Sequence, residues 1–247
     1  MRILIFLFLV IFQNDSFGQI EMPKINDILY VNTKSGLKLR NKPNSEKHID
    51  IIQFGESIQF IENSGYTQVK ENRTGNWMKV EYNNQKGNIF SGYVSRTKPL
   101  EYKSEKYDCH DLDYLRDWIA TRLDLDSIVY SGKKIKYVEL DEERGKFYID
   151  WAQYDDGTTI TEIMGYEYYN HIYETYSIGP NDILNMIDYY VFNKNKNCTD
   201  DKYYNRPKVI SEFHQNGSLK SIESSELGGL RIEILNLKTV IEISYEM

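Results

Sequence analysis

Leu37-Lys38-Leu39-Arg40 alternates apolar and cationic side chains, so an extended strand would carry both leucines on one face and both cations on the other. Pro43 has no N–H to give to a ladder and ends that strand. Ile58-Gln59-Phe60 repeats the alternation after the Phe54-Gly55-Glu56 corner, where Gly55 tolerates positive φ. From Trp77 to Tyr82 the pattern sends Trp77, Lys79 and Glu81 one way and Met78, Val80 and Tyr82 the other. Asn83 to Asn88, with Lys86-Gly87, is expected as a polar turn before Gly92-Tyr93-Val94. Five short strands separated by turn signals predict a small, strongly bent β-barrel. Asn63 to Asn76 is longer and more polar than a tight hairpin needs, and is expected to project as a loop.

The pattern changes beyond Pro99. Leu112, Leu115, Ile119 and Leu123 recur at three- and four-residue steps and predict a helix over 108–124, with Trp118 bordering the stripe and aspartates at its N-terminal end, where the helix dipole favours anions. Strand-like runs follow at 134–140, 147–154 and 158–178, the last two joined by Asp156-Gly157. Pro180 suits the first turn of a second helix whose apolar stripe is Ile183, Leu184, Ile187 and Val191, ending in the polar run 193–197. A meander with turns at Asn216-Gly217 and Gly228-Gly229 completes the chain. The expected fold is mainly β: a small SH3-like β-barrel at 27–98, a polar linker at 99–107, and an α+β domain at 108–247 with two helices on an antiparallel sheet of five to seven strands.

The barrel expectation has a second support. The succession Tyr30-Val31-Asn32, Ser35-Gly36-Leu37-Lys38-Leu39-Arg40-Asn41-Lys42-Pro43, Phe54-Gly55-Glu56, Gly75-Asn76-Trp77-Met78-Lys79-Val80 and Ser91-Gly92-Tyr93-Val94 resembles the bacterial SH3 (SH3b) domain family. The resemblance implies recognition of a cell-wall peptide or an envelope protein partner through the barrel surface. Tyr30, Arg40, Asn41, Trp77 and Tyr93 form the candidate ligand-binding set, an aromatic and cationic group on or beside the motif strands that also fits a core role. Residues 108–247 resemble no family.

The N-terminus changes the setting. Met1-Arg2, the ten apolar residues Ile3 to Phe12, and Ser16-Phe17-Gly18 match a secretory signal peptide over 1–18, and ten residues are too few to span about 30 Å of hydrocarbon. A retained N-terminal anchor is the alternative. An exported, periplasmic or extracellular protein with no membrane span in the mature chain is therefore expected. Export gives meaning to the two cysteines: Cys109 and Cys198 are expected to pair as a disulfide in an oxidising compartment, with two buried free thiols the alternative. Composition, at 40% hydrophobic and 27% charged residues over 247, leaves room for two domains. Charge divides unevenly: eleven Lys/Arg against seven Asp/Glu over 27–100, and seventeen against twenty-eight over 101–247. No basic patch with interleaved aromatics marks a nucleic-acid surface.

Catalytic chemistry has one candidate. SH3b domains often accompany NlpC-type cysteine peptidases, whose Asp-Cys-Ser-Gly motif opens a helix, and Tyr107-Asp108-Cys109-His110 precedes a helical pattern with His171 downstream. His110-Asp111 replaces the Ser-Gly step, and Cys198 competes for Cys109. Asp108, His110, Asp111 and Asp113 could be weighed as metal ligands, but neighbours one or two apart on a helix do not face each other, so no metal and no cofactor are expected. Tyrosine is abundant, at 21 residues, and alternation puts Tyr166, Tyr168, Asn170, Ile172, Glu174 and Tyr176 on one strand face, with Tyr169, His171 and Tyr173 on the other. Such a face suits a ligand surface or an amphipathic sheet packed on helices. The favoured expectation is a noncatalytic binding protein; the alternatives are a cell-wall cysteine peptidase using Cys109 and His171, and an envelope interaction or inhibitor protein acting through the acidic domain.

Overall fold

The structure is a computed structural model that describes residues 23–104, 106–107, 112–125, 127–136, 147–165, 168–197, 209–224, 229–235 and 238–246. The expected signal peptide, Cys109, Cys198 and the 141–145 turn lie outside the described residues. Two antiparallel sheets make the protein mainly β. The first holds β1 (Ile28–Val31), β2 (Leu37–Arg40), β3 (His48–Ile52), β4 (Ser57–Lys70), β5 (Arg73–Tyr82), β6 (Gln85–Phe90) and β7 (Val94–Ser95), in the order β3-β2-β6-β5-β4-β1-β7. Among the described residues no closed barrel is found: β3 pairs only with β2, β7 is two residues long and pairs only with β1, and the two edges do not meet.

The predicted alternation sorts this sheet's faces. Leu37 and Leu39 are buried together with Leu29, Val31, Ile58, Phe60, Met78, Val80 and Ile89 in a core of the N-terminal half alone, against which Tyr82 packs. Two expectations fail for local reasons. Asn63 to Asn76 is no loop: β4 and β5 run on through it to the two-residue turn Glu71-Asn72, where both residues take positive φ and match the right-handed twist of the flanking strands. The 83–88 turn contracts likewise to Asn83-Asn84, and Gly87 lies inside β6, where an added Cβ would stand 2.7 Å from Leu39. That glycine allows β2 to approach and makes no turn.

The second half begins with α1 (Asp113–Leu123) and β8 (Ile128–Lys136), β9 (Phe147–Tyr154), β10 (Thr159–Met164) and β11 (Tyr168–Thr175). It continues with α2 (Pro180–Asn197), β12 (Ile210–Phe213), β13 (Leu219–Ser224), β14 (Leu230–Leu235) and β15 (Lys238–Glu246). Among the described residues its sheet has eight strands, in the order β12-β13-β14-β15-β11-β10-β9-β8; the 158–178 run folds back on itself as β10 and β11, and β8 starts earlier than the periodicity indicated. Leu112, Leu115, Trp118, Ile119 and Leu123 of the first stripe and Ile183, Leu184, Ile187 and Tyr190 of α2 share one core with Tyr173, Ile232, Ile241 and Ile243 of the sheet. The polar run 193–197 extends α2 and does not end it. Residues 99–107 are no free linker either: Tyr102 and Tyr107 are buried in this core, and Tyr102 lies 5.4 Å from the Tyr114 ring, while Tyr114 stacks on Tyr190 at 5.5 Å.

α2 also joins the halves, with a face that its apolar stripe does not reveal. Asn181, Asn185, Asp188, Tyr189 and Phe192 recur at three- and four-residue steps and meet the first sheet. Asn181 Nδ2 donates to the Thr74 carbonyl at 2.6 Å, Asn185 Nδ2 to that of Gly92 at 3.0 Å, and Tyr189 stacks flat on Phe54 at 3.9 Å. Arg73, at the start of β5, donates through Nε to Asn185 Oδ1 and through Nη2 to Asp188 Oδ2, both at 2.6 Å.

Candidate functional site

Because Met78 and Ile89 point into the core, their neighbours Trp77 and Phe90, paired across β5 and β6, stand on the opposite face. The hairpin that continues β4 carries Lys70 over this pair, its Nζ 4.3 Å from the Trp77 ring centre and 5.5 Å from that of Phe90. Tyr93, from the short 3₁₀ turn Ser91–Tyr93, packs edge-on to Phe90 at 5.9 Å. Together with the 33–38 segment and Arg40 these side chains enclose a cleft of about 280 Å³.

Hydrogen bonds hold the parts in place. Trp77 Nε1 donates to Gln68 Oε1 at 3.1 Å, Tyr93 Oη donates to Glu71 Oε2 at 2.5 Å, and Lys70 Nζ donates to Asn44 Oδ1 at 2.8 Å. Burial, followed by the neighbouring Arg40 charge, holds the Lys70 ammonium below its ordinary pKa. Burial and the Glu71 carboxylate push the Tyr93 phenol far above its ordinary value, so it remains a neutral donor. The result is an aromatic floor with Lys38, Arg40 and Lys70 around it, and Glu71 occupied by Tyr93. Trp77 and Phe90 are nearly fully buried beneath Lys70, so what the site offers a ligand is its cations, which can pair with a carboxylate.

Three of the five sequence candidates, Arg40, Trp77 and Tyr93, line this cleft. Arg40 also donates through Nη1 to the Ser45 carbonyl, which ties the loop after β2. Tyr30 does not reach the cleft: it alternates with buried Leu29 and Val31 on β1 and pairs with Ser57 and Ser95. Asn41 is exposed, and its carbonyl accepts from Asn88 Nδ2 at 3.0 Å. Lys70 and Phe90 are missing from the candidate set. Lys70 fell in the supposed loop; the alternation Gln68-Val69-Lys70 before an Asn-containing turn was the available signal.

The catalytic alternative divides between described and undescribed residues. His171 is 4% exposed on β11, on the side that Tyr173 turns to the helices, with Nδ1 3.4 Å from Glu162 Oε1. Asn170 and Glu174 face the other way, toward Glu242 and Lys238, so the tyrosine-rich strand packs as an amphipathic sheet. Of the metal candidates, Asp113 pairs with Arg116 at 2.6 Å and the other three lie outside the described residues. Among the described residues, no three His, Cys, Asp or Glu side chains group closely enough to hold a metal ion, and no helix is long and apolar enough to cross a membrane.

Burial lowers the His171 pKa; the Glu162 carboxylate opposes this and the Arg116 charge adds to it. A folded-state value below the unfolded one means that the unfolded chain binds the extra proton on acidification, so this contribution to stability is lost as pH falls through the ordinary histidine value of 6.5. Chemical denaturation followed between pH 8 and pH 5 is expected to show a falling midpoint that flattens in His171→Gln.

Comparison with known proteins returns no match to a family model, a curated protein or a solved structure.

Proposed function

We propose that this protein is an exported, noncatalytic binding protein, and that its N-terminal half holds a cell-wall peptide in the cleft formed by Arg40, Lys70, Trp77, Phe90 and Tyr93. One observation carries the reading: Arg40, Trp77 and Tyr93 come from three separate stretches of an SH3b-like pattern and converge on one aromatic and cationic cleft. The composition of Met1 to Gly18 supports export, and the resemblance of 27–98 supports a wall peptide as the ligand. The carboxylates of such a peptide match Lys38, Arg40 and Lys70, and the buried Trp77–Phe90 pair holds Lys70 in place from below. Catalysis by Cys109 and His171 gains no support from a buried imidazole.

Co-sedimentation with purified peptidoglycan sacculi tests the reading. Lys70→Glu is expected to lower the bound fraction about tenfold, since a charge reversal in the cleft turns attraction into repulsion, and to lower the melting temperature by a few degrees because the cation–π contacts and the Asn44 bond go with it, the protein staying folded at the assay temperature. Failure of the unsubstituted protein to sediment, or equal sedimentation of Lys70→Glu, sinks it. A second reading, interaction through the acidic half, is favoured by edge strand β8, where Ile128, Val129 and Tyr130 are each more than half exposed. It predicts partner binding that Lys70→Glu leaves intact.

A further inference from the structure

Arg73 is buried where the two halves meet and divides its donors between them. Toward α2 it gives Nε to Asn185 Oδ1 and Nη2 to Asp188 Oδ2, both at 2.6 Å. Toward the cleft it gives Nη1 to the Glu71 carbonyl at 2.9 Å, and its guanidinium lies 5.1 Å from the Tyr93 ring centre. The Glu71-Asn72 turn brings Lys70 over Trp77 and Phe90. One guanidinium therefore fixes the roof of the cleft and one of its walls, and is itself fixed by a helix of the other half.

Asn185 adds a second tie to the same wall. It is buried, accepts from Arg73 through Oδ1, and donates through Nδ2 to the Gly92 carbonyl at 3.0 Å. Gly92 precedes Tyr93 in the short 3₁₀ turn, and an added Cβ there would stand 2.7 Å from the Phe90 ring and 3.0 Å from the Arg73 Cβ. The turn, the floor and the Arg73 stem thus pass in close contact, and a displacement of one reaches the others. Both polar atoms of Asn185 serve residues that shape the cleft, although Asn185 itself does not line it. A buried amide with acceptor and donor both engaged holds its partners in a single geometry.

Taking the cleft as the binding site, we infer that Asn185 is a positioning residue for it, acting through Arg73 and Gly92 on Lys70 and Tyr93. Ligand affinity in the N-terminal half is then set by a helix of the C-terminal half. A cleft untied from α2 has to order its roof and wall on binding, and loses affinity by that amount.

The test follows co-sedimentation of the full chain with peptidoglycan sacculi and, by NMR, the Trp77 indole N–H signal, assigned through Trp77→Phe. Asn185→Asp keeps the size of the side chain and the acceptor for Arg73 but sets an oxygen against the Gly92 carbonyl. It is expected to lower the bound fraction about tenfold and to move the Trp77 signal, with every cleft side chain unchanged. Asn181→Ala is the control: its bond to the Thr74 carbonyl also joins the halves, but outside the cleft, so binding and the signal should stay as they are. Because a variant at a buried position can misfold, a second measurement uses the unsubstituted protein. Coupling is reciprocal, so peptides released from sacculi by an amidase should slow backbone hydrogen exchange in α2 around Asn185, and should not do so in Lys70→Glu. Full sedimentation of Asn185→Asp, an equal loss in Asn181→Ala, or unaltered exchange in α2 on binding overturns the inference and leaves the cleft as the site. Failure of the unsubstituted protein to sediment removes both.

Discussion

Arg73→Met is expected to destabilise the protein by about 3 kcal/mol and to split one calorimetric unfolding transition into two. Arg73 is 4% exposed although it closes a hairpin turn, because α2 covers it. Methionine keeps the stem but leaves Asn185 Oδ1, buried at 2% exposure, without the Nε donor. An orphaned buried acceptor of this kind costs about 1–3 kcal/mol. The carbonyl of Glu71 loses a donor as well, and the stacking of the guanidinium 5.1 Å from the Tyr93 ring disappears. The Asp188 pair adds little: that carboxylate is 56% exposed, and solvent screens such a pair to about 1 kcal/mol at most. Asp188→Ala should therefore shift the midpoint far less than Arg73→Met. The split follows from two separate cores, joined chiefly by polar bonds from one face of α2 and by the Phe54–Tyr189 stack. A single transition that does not move would show that Arg73 does not couple the halves.

Trp77→Ala should cost about 3–5 kcal/mol, the range for removing a large buried aromatic side chain, and should abolish sacculus binding with it. Trp77 is 1% exposed on the sheet face opposite the core, shielded by the Lys70 side chain and held by Gln68. Its removal takes away the floor beneath Lys70 and the cross-strand partner of Phe90, so stability and binding fall together. Trp77→Phe separates the two effects: it keeps most of the apolar volume, loses the Nε1 bond, and should retain the fold while weakening binding. Urea denaturation beside sedimentation of each variant provides the check. Full binding by a folded Trp77→Ala protein would remove Trp77 from the site.

Periodicity was a sound guide wherever one face of an element meets one core. Leu37 and Leu39, Met78 and Val80, Leu115 and Ile119, and Ile183 and Ile187 are all buried as their spacing indicates. It misled where a residue's role depends on a distant element. Lys70 and Arg73 are polar and flank a turn, so 63–76 looked like a solvated loop; one forms the roof of the cleft and the other is buried by a helix more than a hundred residues away. Tyr102 looked like linker because its partners, Tyr107, Tyr114 and Tyr190, are spread over the chain. Gly87 looked like a turn because its real constraint, the close passage of Leu39, is a long-range contact.

By itself the sequence determined the β-rich character of the chain, the two helices, most hairpin turns and three of the residues around the cleft, because alternation, helical spacing and turn chemistry act over a few residues. The tertiary structure alone decided that the first sheet stays open, that the 63–76 hairpin reaches α2, that Arg40, Trp77 and Tyr93 share one cleft while Tyr30 and Asn41 stand apart from it, and that Arg73 lies buried between the halves. Each of these depends on which elements pack together, and a guanidinium or an indole has the same local pattern whether water or another strand covers it.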